Sequence, residues 1–244
     1  MRLILLAFQF LTIIPLPFSF RCEKEDLGRS TAFFPVVGLA IGGLLAGANQ
    51  LLSPFIVRPL CDALLITLLA LVTGALHLDG LADVCDGLAA RGDRERFLAV
   101  MKDSQVGAVG AVGLVLGLLL KWQALAAVPV ELKWQALLLF PALARFGQVL
   151  TLTGARRARQ DGLGAAFAHG AGALPLFVAL ATVAPAAFYL MGFRGGIALA
   201  AVCLLVAAGR AFFVRKLGGL TGDTIGCLSE LSEILALLVI SATF

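Results

Sequence analysis

The chain has 244 residues, 60% hydrophobic and 14% charged, with a formal net charge of +4 and a mean hydropathy of +0.99. Soluble domains carry about 45–50% apolar and about 25% charged residues, which excludes a water-soluble globule; a disordered chain, which needs few apolar residues and high net charge, is excluded as well. A polytopic membrane protein remains, and at about 20 apolar residues per bilayer crossing this length holds about six to eight crossings. The net charge makes no case for a nucleic-acid partner. Cys22, Cys61, Cys85, Cys203 and Cys227 are odd in number and contain no Cys-x-x-Cys, so they read as free thiols.

The chain opens on Arg2 and an apolar run to Ile14 that imitates a signal peptide. Pro15 and Pro17 stand where a small-residue cleavage site would be, so the segment reads as retained, lying in the interface or entering the membrane partway. Apolar runs between charges then predict helical spans over 31–52, 60–77, 106–121, 134–153, 171–191, 197–214 and 231–244. The last is short and carries Glu233. The expected fold is all-α: one membrane-embedded domain over residues 1–244, a bundle of about seven transmembrane helices.

The stretch before residue 31 and the segments 77–105, 154–170 and 215–230 carry thirteen of the 19 Lys and Arg, whereas Arg58, Lys121, Lys133 and Arg194 fall on the other side. The positive-inside rule places the rich side in the cytoplasm. All acidic residues except Asp62 and Glu131 gather on that side too. Acids contribute little to topology, so their clustering points to chemistry at the cytoplasmic face.

The central segment is His77-Leu-Asp79-Gly80-Leu-Ala82-Asp83-Val-Cys-Asp86-Gly87. If the second span continues as a helix, Asp79, Asp83 and Asp86 stand at i, i+4 and i+7 on one face. Carboxylates so placed repel, and a divalent cation removes the penalty; oxygen-only ligands favour Mg²⁺, Mn²⁺ or Ca²⁺. A solvated loop paired with Arg91, Arg94 and Arg96 is the plainer alternative. Downstream, Lys102 and Asp103 stand at the entrance to the third span, with Ser104 a candidate N-cap. A helix N-terminus beside a lysine is a seat for phosphate. Metal-bound carboxylates facing a phosphate seat are the apparatus of phosphoryl transfer.

A third cluster runs Gly218-Gly219-Leu-Thr221-Gly222-Asp223-Thr224 to Glu230 and Glu233. It reads as a loop rich in donors and acceptors, with Thr224 or Asp223 capping the next helix. The two glutamates, at i and i+3, stand ready for a second ion or for substrate hydroxyls. Arg145 lies inside a span and needs an anionic partner. Trp122 and Trp134 read as interface anchors.

These motifs, with Met101-Lys102-Asp103-Ser104-x-x-Gly107, Phe10-Leu-Thr-Ile-Ile-Pro-Leu-Pro, Phe33-Phe34-Pro35 and Arg159-x-Asp161-Gly162-Leu-Gly164, resemble the cobalamin synthase family. Those are bacterial inner-membrane adenosylcobinamide-GDP ribazoletransferases, and the resemblance spans the whole chain. It implies that a ribose hydroxyl of α-ribazole, or of its 5′-phosphate, attacks the cobinamide-linked phosphate of adenosylcobinamide-GDP and releases GMP. The implied cofactor is Mg²⁺, with Mn²⁺ as the alternative. The implied partners are the two substrates and the lipid bilayer, with a homo-oligomer compatible.

On this reading Asp79, Asp83 and Asp86, with Asp103, hold the metal. Lys102 and Arg96 neutralise phosphate; Ser104, Thr221, Asp223, Glu230 and Glu233 position substrate; and Asp86 or His77 takes the hydroxyl proton. A CDP-alcohol-type phosphotransferase shares the chemistry, but Asp83 stands where that motif has Arg. An ion-coupled transporter is the other class, although its site would lie near the bilayer midplane.

Overall fold

The computed structural model describes residues 2–15, 23–90, 93–156, 158, 166–167 and 170–242, and it is all-α. Cys22, Arg91, the basic stretch of Arg157 and 159–165, and His169 lie outside the described residues. Cys61, Cys85, Cys203 and Cys227 are free thiols.

Helix α1 (Arg2–Leu11) buries Leu6, Ala7 and Leu11. Its ten residues rise only about 15 Å, half a bilayer core. An Arg2–Asp26 ion pair ties it to α2 (Lys24–Ser30). The Ile13 N–H donates to the Val72 carbonyl at 2.8 Å, fastening the end of this segment beneath the second long helix.

A 3₁₀ turn at Thr31–Phe33 leads into α3 (Phe34–Leu52), where Pro35 occupies the first turn and costs no hydrogen bond. Helices α4 (Arg58–Val72), α5 (Leu76–Ala89), α6 (Arg94–Val100), α7 (Ala108–Ala127), α8 (Lys133–Leu152), α9 (Ala173–Leu217) and α10 (Gly222–Ser241) follow.

Helix α8 is the axis of the bundle: 83% of its apolar window is buried, against 22% for α9, which faces outward. It packs on α3, α9 and α10. The α3 contact is made by backbone. A Cβ at Gly38 would stand 2.5 Å from the Ala142 Cα, and one at Gly42 would stand 2.5 Å from the Leu137 carbonyl oxygen. Small residues four apart let two helices close to this distance, which is how membrane helices gain dispersion energy without a hydrophobic driving force.

Among the described residues five helices are long and apolar enough to cross a membrane, or up to six if α4 and α5 form one bent crossing. The count falls below the expected seven because 171–191 and 197–214 lie within one 45-residue run, α9, which comprises two helices meeting at Gly192, where the backbone is non-helical (φ 55, ψ −133). The last helix is also stronger than expected. It begins at Gly222, within the anticipated loop, because Thr221 and Thr224 form a reciprocal cap.

The second expected span does not run on into the aspartates. It ends at Val72; Gly74 (φ 62) and Ala75 (φ 54) are both left-handed, a conformation that stops an α-helix, and α5 departs at 91°. The three aspartates therefore sit on a separate helix that lies against the N-terminal halves of α7 and α10.

Lys121, placed outside by sequence, lies within α7 and is buried in the bundle. Asp62 and Lys133 form a buried pair at 2.6 Å, with Arg58 at 4.0 Å from the same carboxylate.

Candidate active site

The site is built around the start of α10. Gly218, left-handed at φ 73, ends α9, and Leu220 then exchanges backbone hydrogen bonds with the segment after α8: its N–H donates to the Arg156 carbonyl at 2.8 Å, and Ala158 N–H donates to its carbonyl at 3.0 Å. Arg94 clamps the same joint, its Nε donating to Leu217 O at 2.6 Å and its Nη2 to Ala158 O at 2.9 Å. Thr221 is then the N-cap. Its Oγ1 accepts from Thr224 N–H at 3.2 Å, and Thr224 Oγ1 accepts from Thr221 N–H at 2.9 Å. The Thr221 hydroxyl also donates to Asp223 Oδ2 at 3.4 Å, which orients that carboxylate in the first turn.

Helix α5 meets this turn at Gly80, where a Cβ would lie 2.7 Å from the Asp223 carbonyl oxygen. Only glycine permits that approach, and it brings Asp79 beside Asp223. Both carboxylates line a pocket of about 130 Å³ together with His77, Gln148, Phe10 and Phe34. Phe10, Phe34 and Phe167 make an aromatic wall: Phe10–Phe34 are stacked at 5.9 Å between centroids, and Phe10–Phe167 lie at 4.3 Å. Helix α1 therefore contributes directly to the pocket through Phe10.

Behind His77 a polar chain runs into the bundle. Its Nε2 lies 2.8 Å from Gln148 Nε2, which also donates to Ser229 Oγ at 2.8 Å. Arg145 Nη1 donates to Ser229 Oγ at 3.2 Å and to Glu233 Oε1 at 2.7 Å. Lys121 Nζ then donates to Glu233 Oε2 at 2.5 Å and Glu230 Oε2 at 2.6 Å. The two glutamates, expected to meet a substrate or second ion, are buried with their carboxylates held by Lys121 and Arg145. Arg145 finds in Glu233 the anionic partner it needed.

Asp86, two turns along α5 from Asp79 and on the same face, is engaged by the start of α7. Its Oδ2 accepts from Gly107 N–H and its Oδ1 from Gly110 N–H, each at 2.7 Å. The phosphate seat expected at the third span is thus filled by a carboxylate of the same chain, which satisfies orphan donors of the first turn. Gly107, not Ser104, holds the N-cap position. Ser104 is exposed, and Asp103 accepts from Gln105 N–H at 3.0 Å in a local turn. Arg96 and Lys102 are exposed, and neither lines the pocket. Asp83 is half-buried one turn after Asp79.

Among the described residues no three His, Cys, Asp or Glu side chains converge as a metal cage. The carboxylates of Asp79 and Asp223 at one pocket nonetheless form an oxygen-only donor set. That chemistry suits Mg²⁺, which is bound by one or two carboxylates with substrate phosphate and water completing its shell. Gln148 and Lys121 were not singled out from sequence as site or network residues. The available signal was their polarity inside or beside apolar runs, since intramembrane polar groups mark function by default.

The chain is 61% identical over 243 residues to the adenosylcobinamide-GDP ribazoletransferase of Geotalea daltonii, covering 99% of this chain and 98% of that one. Its identity to the Pseudomonas aeruginosa protein of the same name is 41% over 245 residues, with 99% and 98% covered. The corresponding Clostridium botulinum protein is 35% identical over 237 residues, with 97% and 96% covered. No solved structure matches. The cobalamin-5-phosphate synthase family model aligns with residues 3–241, from α1, which walls the pocket, to the end of α10, which caps it, and the chain belongs to that family.

Proposed function

We propose that this chain is an adenosylcobinamide-GDP ribazoletransferase, a single membrane-embedded catalytic domain of the bacterial inner membrane. A ribose hydroxyl of α-ribazole or its 5′-phosphate attacks the phosphorus attached to cobinamide. The bond to the GMP oxygen breaks, and adenosylcobalamin or its 5′-phosphate forms. The observation that carries this reading is end-to-end similarity to proteins of that activity, coupled to a pocket that joins Asp79, Asp223 and His77.

Asp79 and Asp83, one turn apart on α5, would hold Mg²⁺ or Mn²⁺, with substrate phosphate and water completing its shell and Asp223 lining the same pocket as Asp79. The ion supplies charge neutralisation for the pyrophosphate and the leaving GMP. Asp223, oriented by the Thr221 hydroxyl, accepts the proton of the attacking ribose hydroxyl. Of the two groups expected for that step, Asp86 has both oxygens occupied by backbone N–H groups. His77, accepting at Nε2 from Gln148, presents Nδ1–H, which is a donor. Lys102 and Arg96, exposed near the start of α7, attract the diphosphate from the aqueous side. The corrinoid stays outside, because about 130 Å³ is far below the ~300–1,000 Å³ of a pocket for even a drug-sized ligand.

Counting the two sides of Gly192 separately, and α4 with α5 as one, yields seven crossings. The Lys and Arg distribution supports a cytoplasmic face for the pocket. The buried acids of α10 are internally neutralised by Lys121 and Arg145, which favours a structural network over an ion-coupling site.

The test is turnover by the purified chain in nanodiscs with adenosylcobinamide-GDP, α-ribazole and Mg²⁺, followed by chromatography with and without chelator. Stoichiometric, chelator-sensitive GMP and cobalamin are expected. A folded sample that releases no GMP overturns the proposal.

A further inference from the structure

We infer that the aromatic pocket beside Asp79 and Asp223 is the seat of the ribazole base, read by a hydrogen bond from His77 Nδ1–H to the unsubstituted ring nitrogen of that base. The inference rests on the ribazole-transfer reading. Three observations carry it.

The pocket is small and has one aromatic wall. Its volume is about 130 Å³, and three phenylalanine rings pack together along it, one pair stacked, one tilted and one edge-on, with centroids 4.3–5.9 Å apart. Such a space takes one planar ring system; a corrinoid or a guanine nucleotide with its phosphates does not fit. Stacked and edge-on aromatic walls favour a heteroaromatic ligand over an aliphatic one.

Two buried polar atoms belong to residues that line it. His77 is 5% exposed and Gln148 1%, yet among the described residues His77 Nδ1 and Gln148 Oε1 have no hydrogen-bond partner. A buried polar atom without a partner is costly and calls for an explanation. The two are complementary in kind. With the Gln148 amide oriented so that Nε2 donates to Ser229 Oγ and to His77 Nε2, the imidazole proton resides on Nδ1 and that atom is a donor. Gln148 Oε1 is an acceptor. A benzimidazole riboside offers the matching pair: one ring nitrogen that only accepts, and ribose hydroxyls that donate.

The polar end of the pocket is in the right place. Asp79 and Asp223 line the same space. A base seated against the phenylalanines holds its ribose toward these carboxylates, where the attacking hydroxyl needs a proton acceptor and the diphosphate needs its metal. The Arg145–Glu233–Lys121 chain fixes Gln148 and Ser229, and so fixes the imidazole tautomer that does the reading.

The experiment compares α-ribazole with its indole analogue, in which a C–H replaces the unsubstituted ring nitrogen, on the full chain in nanodiscs with Mg²⁺. Equilibrium binding of each riboside is measured without corrinoid, and KM is measured with adenosylcobinamide-GDP. A preference for α-ribazole of about tenfold in both is expected, the worth of one buried hydrogen bond, with KM for adenosylcobinamide-GDP unchanged. His77→Ala should reduce the preference to near one. Equal binding and equal KM for the two ribosides on the unmodified protein overturn the inference, as does a preference that survives His77→Ala. Turnover without preference removes this pocket assignment and keeps the transferase; binding with preference but no GMP keeps the pocket and removes the transferase.

Discussion

Replacing Lys121 with Met should destabilise the bundle strongly, and a second substitution should rescue it. The Lys121 ammonium lies 2.6 Å from Glu230 and 2.5 Å from Glu233, and Arg145 lies 2.7 Å from Glu233. No side chain of the four is more than 6% exposed. Two cations and two anions cancel; without Lys121, two carboxylates face one guanidinium in the interior. Breaking a buried pair by removing one partner costs about 3–5 kcal/mol. At about 2–4 °C per kcal/mol for a chain of this size, the unfolding midpoint falls on the order of 6–20 °C. Lys121→Met with Glu230→Gln restores neutrality around the surviving Arg145–Glu233 pair and should recover at least about half of the loss. The assay is the thermal midpoint in one fixed detergent, read as a double-mutant cycle with Glu230→Gln alone. A Lys121→Met midpoint within about 2 °C of the parent, or a double variant less stable than the single, refutes the reasoning.

Asp79→Ala should abolish GMP release while the protein still inserts and elutes as one species, because Asp79 faces the pocket and is exposed; near-normal turnover would remove it from the reaction. Asp86→Ala should cost about 1–2 kcal/mol, since the Gly107 and Gly110 amides lose their acceptor, and a shorter hydrogen-exchange lifetime at the start of α7 is the readout. Gly38→Leu should prevent the close approach of α3 and α8 and abolish folded yield, whereas Gly47→Leu, at a position open to space, should leave yield unchanged; equal yields would contradict the backbone packing described here. Ala75→Gly relieves a left-handed alanine and should raise stability by about 1 kcal/mol, seen as a higher midpoint with turnover retained.

Membrane character was fully legible in the sequence, because apolar length and sparse charge act residue by residue and need no partner. The same holds for the positions of α3 and α8, expected over 31–52 and 134–153 and found over Phe34–Leu52 and Lys133–Leu152. The aspartates and His77 stand out for the same reason: a polar group next to lipid is expensive wherever it points.

Direction and partnership were decided only by tertiary structure. Asp79 and Asp86 stand seven residues apart on one helix, yet one lines the pocket and the other caps α7, because the 91° turn at Gly74–Ala75 lays α5 between α7 and α10. Glu230 and Glu233 resemble Asp223 as isolated acids. Lys121, remote in sequence, converts them into part of the scaffold. Gln148 gains its role only where α5 and α10 meet α8. Composition and periodicity follow from each residue's own transfer energy, whereas the use of a carboxylate depends on which donor the fold brings within 3 Å of it.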